Sequence, residues 1–285
     1  MTRKSLFHFS LVGLLWGIPY LLMKVAVEDF PPAAVVAGRT LIGASILIPI
    51  AIYRKKFGGA VLGFKYVAFY ALMEMIGPWI LITTAEQKIN SGLAGLLVST
   101  VPIFATIITS LRGDHSVWQF KRLLGIVVGF IGLILVVGIE SLSGNSDPLS
   151  IAMVIVASMG YAYAVIMVTT NLPLVDGIAI NGLAMAITTV FWAPVAIAQW
   201  PSSISMNSAL SLIALGTFST ALAFILFFKV MAEIGPARSS LVTYLNTAIA
   251  VLLGVIILRE PLTVGIIVGL PLVLVGSYLA SKKTA

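Results

Sequence analysis

Apolar runs of roughly twenty residues, separated by short polar or Pro/Gly-containing stretches, follow one another along almost the whole chain. Reading each run to its first break gives candidate spans at 5–27, 32–53, 65–85, 91–111 and 121–139, then at 149–170, 177–199, 208–230, 236–258 and 263–281. About 20 apolar residues suffice for a helix to cross the hydrocarbon core. Several runs are rich in Val and Ile, but a backbone amide in lipid has no water to pair with, so each run is expected to be helical. The pattern predicts an all-α membrane protein with ten transmembrane helices.

Composition agrees with this reading. Of 285 residues, 60% are hydrophobic and 9% charged, against roughly 25% charged in a soluble domain. A water-soluble fold is excluded, and little chain is left for extramembrane domains. The start has the basic tip and apolar stretch of a signal peptide, yet no small-residue cleavage site follows, and the run continues through Trp16, Gly17 and Pro19 as a full span.

The formal charge of +7 carries topology rather than nucleic-acid binding, because the basic residues cluster between apolar runs. With the N-terminus inside, Arg3, Lys4, Arg54, Lys55, Lys56, Lys65, Arg112, Lys121, Arg122, Lys229, Arg238, Lys282 and Lys283 all face the cytoplasm. Only Lys24, Lys88 and Arg259 fall outside, so the charge bias places both termini in the cytoplasm. There is no cysteine and only His8 and His115, which rules out thiol chemistry and histidine-rich metal sites. No cofactor is expected. No Gly-rich phosphate-binding loop ending in Lys-Ser/Thr is present either, so energy for any transport comes from a gradient or a counter-substrate.

The chain also repeats itself. An offset of 145 residues sets Gly13–Gly17 on Ser158–Ala162, so that Trp16 meets Tyr161, and sets Pro49–Ile52 on Pro194–Ile197. The same offset pairs Ile89 with Ile234 and Pro102 with Thr247; after a slip of one, Gly125 and Gly132 meet Gly269 and Gly276. The reading divides the chain at 1–145 and 146–285. Five spans is an odd number, so the second copy enters the membrane from the opposite side. Two inverted repeats around a midplane site are the architecture of alternating access.

Tyr244–Ala248, Leu253-Gly254 and Leu258-Arg259-Glu260-Pro261-Leu262-Thr263, with Leu15-Trp16-Gly17 and Pro31-Pro32 followed by Arg39, resemble the EamA-like branch of the drug/metabolite transporter superfamily. The resemblance covers essentially the whole chain. Arg259 stands where that family usually has glycine, Thr247 where it usually has proline, and His115 occupies the first-half position matching Glu260. The resemblance implies two five-helix repeats, a central cavity lined mainly by helices 1, 3, 4, 6, 8 and 9, and export or exchange of small metabolites.

Glu74 is the most informative single residue, roughly 13 Å into the third span at 1.5 Å per residue. A carboxylate at that depth is costly and must face protein or water. Two roles fit: a transport site for a substrate ammonium or a coupling proton, and a structural ion pair with Arg39 of span two. Trp16, Tyr20, Trp79, Tyr161, Tyr163 and Tyr244 are candidate cavity walls for apolar or cationic solutes, although aromatic residues also gather at membrane interfaces.

Span four presents Gly92, Gly95, Ser99, Pro102 and Thr106, and span nine Ser239, Thr243, Asn246 and Ala250. Small residues of this kind serve close helix packing, while Ser99, Thr243 and Asn246 are candidate polar contacts for a solute. Glu86 and Lys88 read as solvated loop charges, and Lys24, Lys229 and Arg238 as interface anchors. The leading function is a secondary active transporter of amino acids or related amphipathic and cationic compounds in the inner membrane. Its partners are a small-molecule substrate, membrane lipid, and a proton or counter-substrate, with no nucleic acid. The alternative, a polytopic enzyme acting on a lipid-linked substrate, would need converging acids and bases, whereas the carboxylates here are scattered one per loop.

Overall fold

A computed structural model describes residues 3–113, 119–142, 147–235, 239 and 241–281, and among these every regular element is a helix. His115, Arg238, Lys282 and Lys283 lie outside the described residues. In order come α1 (Arg3–Ala26), α2 (Pro32–Tyr53), α3 (Phe57–Leu62) and α4 (Phe64–Ala71), which runs through a π-helical segment (Leu72–Ile76) into α5 (Gly77–Ala85). Then follow α6 (Ser91–Val98), α7 (Val101–Leu111), α8 (Phe120–Leu142), α9 (Pro148–Asn171) and α10 (Gly177–Ala198). Next, α11 (Met206–Ala214) passes through a second π segment (Leu215–Leu222) into α12 (Ala223–Ile234), before α13 (Val242–Ile256) and α14 (Val264–Ser281).

Seven helical stretches among the described residues are long and apolar enough to cross a membrane: 3–26, 32–53, 64–85, 91–111, 148–171, 177–198 and 206–234. Two shorter apolar helices are Val242–Ile256 and Val264–Leu279. The chain is a multi-pass membrane protein. Large apolar side chains such as Val190, Ile197 and Ile256 point outward, each more than 70% exposed, which inverts the habit of a soluble protein and suits a surface solvated by lipid.

Local chemistry sets the helix ends. Pro31 and Pro32 open α2 without forfeiting a helical hydrogen bond. Asp147 accepts from the Ser150 amide to cap α9 and Asp176 from the Ile178 and Ala179 amides to cap α10. The fourth stretch is broken between α6 and α7. Pro102 removes one donor, the Ser99 and Thr100 amides bond three residues back, and both hydroxyls fold onto the Leu96 and Leu97 carbonyls at 2.6 Å.

The most extensive helix pairings are α8 with α14 and α2 with α10, followed by α1 with α13, α5 with α9, and α6 with α13. Small residues allow these approaches. A side chain on Gly276 would begin 2.3 Å from the Gly129 amide nitrogen, and one on Gly95 would lie 2.8 Å from the Ala250 methyl. The helices therefore touch backbone to backbone, as small residues permit in membranes.

Candidate functional site

A cavity of about 700 Å³ penetrates the bundle. Its walls follow α1 at Trp16, Tyr20 and Met23, the α4–α5 stretch from Tyr70 to Ile82, α7 from Val101 to Thr109 and α9 from Tyr161 to Leu172. Gly177 to Asn181 of α10, Ser219, Phe224 to Met231 of α12 and Val242 to Asn246 of α13 complete them. These segments lie in one half of the bundle together with its middle. The cavity reaches the surface at the end where Thr169 and Pro173 are exposed and Arg122 and Ser239 stand.

The opposite end is shut. Leu93, Ala94, Leu96 and Leu97 of α6 are wholly buried there. The Lys24 ammonium, at the end of α1, donates to the carbonyls of Glu86 at 2.5 Å and Ile89 at 2.9 Å. The Glu260 carboxylate accepts from the Ser91 amide and hydroxyl and the Gly92 amide at 2.8, 2.9 and 3.2 Å, so it caps α6 from the α13–α14 connection. Two expectations are corrected here. Lys24 ties three segments together instead of snorkelling, and Glu86 is fully buried with neither carboxylate oxygen hydrogen-bonded. Lys88 does remain exposed, 3.9 Å from Asp147.

Trp16, Tyr20, Glu74, Trp79, Tyr161, Thr243, Tyr244 and Asn246 all line the cavity. Ser99 and Tyr163 do not. Ser99 is buried at the α6 break, with its carbonyl accepting from Ser277, and Tyr163 packs edge-on against Phe69. Glu74 sits in the first π segment, and its Oε2 is buried without a hydrogen-bond partner; the same is true of Ser219 Oγ in the second π segment.

Arg39 is not paired with Glu74, and no ion pair joins them. Its guanidinium lies 3.8 Å above the Trp79 ring centroid and donates through Nε and Nη2 to Thr220 at 3.2 and 3.1 Å. Arg39 thereby brings α2 into the cavity wall, and α10 contributes as well, so the lining is wider than helices 1, 3, 4, 6, 8 and 9.

The sequence reading missed several wall residues. Tyr70 donates to Asn181 Oδ1 at 3.0 Å, and Asn181 in turn donates to the Gly177 carbonyl, fixing its amide at the mouth. Phe224 and Phe227 pack on Trp16 with ring centroids 5.6 and 4.6 Å away. An Asn within an apolar run was the available signal for Asn181; the phenylalanines look like any lipid-facing residue. The wall therefore combines a large aromatic surface with two guanidinium groups, Arg39 within and Arg122 at the mouth, one carboxyl group and a few neutral polar atoms. It has the means to hold an amphipathic solute but no converging acid, base and nucleophile among the described residues. No group of His, Asp and Glu able to hold a metal ion occurs among them either.

A model of the EamA-like transporter family matches twice, over residues 3–138 and 148–282. The chain is 27% identical to the uncharacterized transporter YoaV of Bacillus subtilis, covering 94% of this chain and 93% of that one. It is 25% identical to the uncharacterized inner membrane transporter YedA of Escherichia coli K12, covering 95% and 90%. A solved crystal structure superposes with a TM-score of 0.65 over 98% of each chain at 15% identity, a likeness of fold.

Proposed function

The chain belongs to the EamA-like transporter family, and from that premise we propose that it is a secondary active transporter. It moves small amphipathic metabolites, amino acids or related compounds, across the inner membrane by alternating access, as an exporter or exchanger. The observation that carries this reading is the cavity itself: it runs from the middle of the bundle to one end and is sealed at the other. With both termini cytoplasmic, as the charge bias argues, the open end faces the cytoplasm.

The architecture behind the mechanism is ten helices in two inverted repeats, 1–145 and 146–285. The family model fitting each half supports it. So do the π segments: shifted by 145 residues, Leu72–Ile76 falls on Thr217–Ala221, inside Leu215–Leu222. Glu74 then falls on Ser219, and both carry an unpartnered buried oxygen on the cavity wall. Helix contacts also exchange under the repeat. The α1–α13 contact has its mate in α9 with α6 and α7, and the α5–α9 contact in α12 with α1. Two such halves can trade roles, giving open states of similar energy.

Glu74 couples transport in this reading, by taking up a proton or receiving a substrate ammonium in place of a fixed partner. The test is counterflow and pH-gradient-driven uptake in vesicles, with a panel of amino acids, polyamines and aromatic drugs. Wild-type protein moves at least one class, and Glu74→Gln loses the response to the pH gradient. No movement of any class sinks the transport reading; full gradient-driven uptake by the Gln variant removes the proton from it.

A further inference from the structure

Arg39 is buried, with 6% of its surface exposed, yet its guanidinium lines the cavity. A guanidinium has five N–H donors. Nε and one Nη2 hydrogen share a single acceptor, the Thr220 hydroxyl, and one Nη1 hydrogen meets the Met23 sulfur at 3.5 Å, a weak acceptor. One N–H remains on each terminal nitrogen. Among the described residues no carboxylate comes within ion-pair distance, neither Glu74 nor Glu86. A buried cation normally brings its own counter-ion because leaving it unpaired is expensive. Here the charge is instead held flat against the Trp79 ring at 3.8 Å, an arrangement that fixes the fork without neutralising it.

We propose that Arg39 is the receptor for a carboxylate of the solute, so that the cavity selects amphipathic organic acids and zwitterions over purely cationic compounds. This rests on the cavity being the solute path. The two free N–H groups form the fork that matches a carboxylate, and Trp16, Tyr20, Tyr161 and Phe224 supply surface for an apolar body. Glu74 on the same wall accommodates an ammonium where the solute has one, and repels a dianion such as a phosphate monoester. Thr220 and Trp79 act as positioning residues.

The experiment is titration of the purified full-length protein by intrinsic tryptophan fluorescence with four probes of similar size: hydrocinnamate, its amide, phenylpropylamine and phenyl phosphate. Hydrocinnamate binds at least about tenfold more tightly than the other three. Arg39→Gln erases that preference, and Arg39→Lys, which keeps the charge without the fork, loses most of it. Thr220→Val leaves the guanidinium in place but unanchored and weakens the acid alone; should the Arg39 variants fail to fold, this variant and the wild-type series decide. Equal binding of acid, amide and amine, tighter binding of phenyl phosphate, no binding of any probe, or an unchanged preference in a folded Arg39→Gln protein overturns the proposal. Vesicle counterflow of hydrocinnamate is run alongside. Binding without counterflow leaves the Arg39 assignment standing, and together with no movement of any class in the panel above it removes the transport reading.

Discussion

At the scale of single residues, Arg259 explains its own oddity. It occupies the position where the resemblance led us to expect glycine, and its backbone has φ of 55°, in the left-handed region that glycine enters freely. The turn is fixed by its surroundings, since the Glu260 amide bonds the Gly254 carbonyl at 3.0 Å and the Glu260 carboxylate caps α6. Arg259 therefore bears a conformational cost of about 1 kcal/mol, partly offset because glycine loses more freedom on folding. Arg259→Gly is expected to stabilise the protein by about 0.5 kcal/mol, seen as a higher midpoint of thermal unfolding in detergent; a lower midpoint would assign the exposed side chain a contact of its own. Residue roles were legible where a residue type has one cheap place in lipid: Glu74 had to face the interior, and it does line the cavity. They were illegible where partners come from far along the chain. Nothing around Arg39 announces Thr220, and nothing around Lys24 announces the carbonyls of Glu86 and Ile89.

At the scale of elements, the seven spans long enough to cross among the described residues were readable to within a few residues because an apolar run is a local property, but breaks inside a run were not. The π segments interrupt two long helices at Glu74 and at Thr217, Ser219 and Thr220, polar residues that an α-helix in a membrane also carries and that do not mark a π turn, and the added residue frees carbonyls that need donors. Trp192 of α10 meets one such need, its indole N–H donating to the Ile76 carbonyl at 3.1 Å. This bond fixes α10 against the segment carrying Glu74, so an element far from the wall in sequence sets the height of the carboxyl group. Trp192→Phe keeps the edge-on packing with Phe191, whose ring centroid is 5.2 Å away, and removes only the donor. The expected cost is about 1–3 kcal/mol for an orphaned buried carbonyl, measured by thermal unfolding. Any response of transport to the pH gradient should shift with it, because the Glu74 backbone is no longer pinned. A variant as stable as wild type would mean that the π segment finds another donor.

At the scale of the whole molecule, the two ends of the bundle are related by sequence yet held by different forces. Lys24, Glu86 and Glu260 gather at the sealed end, where charge-assisted bonds join α1, α5, α6 and the α13–α14 connection. Shifted by 145 residues, Lys24 falls on Thr169 and Glu86 on Met231, both on the wall of the open mouth, while Glu260 falls on His115 outside the described residues. The sealed end thus has an ionic latch across α1, α6 and the α13–α14 connection, whereas at the open end the His8–Glu233 pair, 3.3 Å apart, ties α1 to α12. On the orientation proposed above, the latch biases the protein toward the inward-open state. Loss of one charge-assisted bond, about 1.5–3 kcal/mol, would shift the balance between states by tenfold or more. The chain contains no cysteine, so single introduced thiols report access without background. Leu93→Cys, buried behind the latch, should resist an impermeant maleimide added outside the cell, and adding Lys24→Met or Glu260→Gln should make it reactive. Thr169→Cys at the mouth should lose reactivity toward reagent from the cytoplasmic side in the same backgrounds. Unchanged protection of the thiol at position 93 in both would show that apolar packing alone closes that end, and labelling of Leu174→Cys, beside the mouth and 97% exposed before substitution, from outside the cell would reverse the orientation itself.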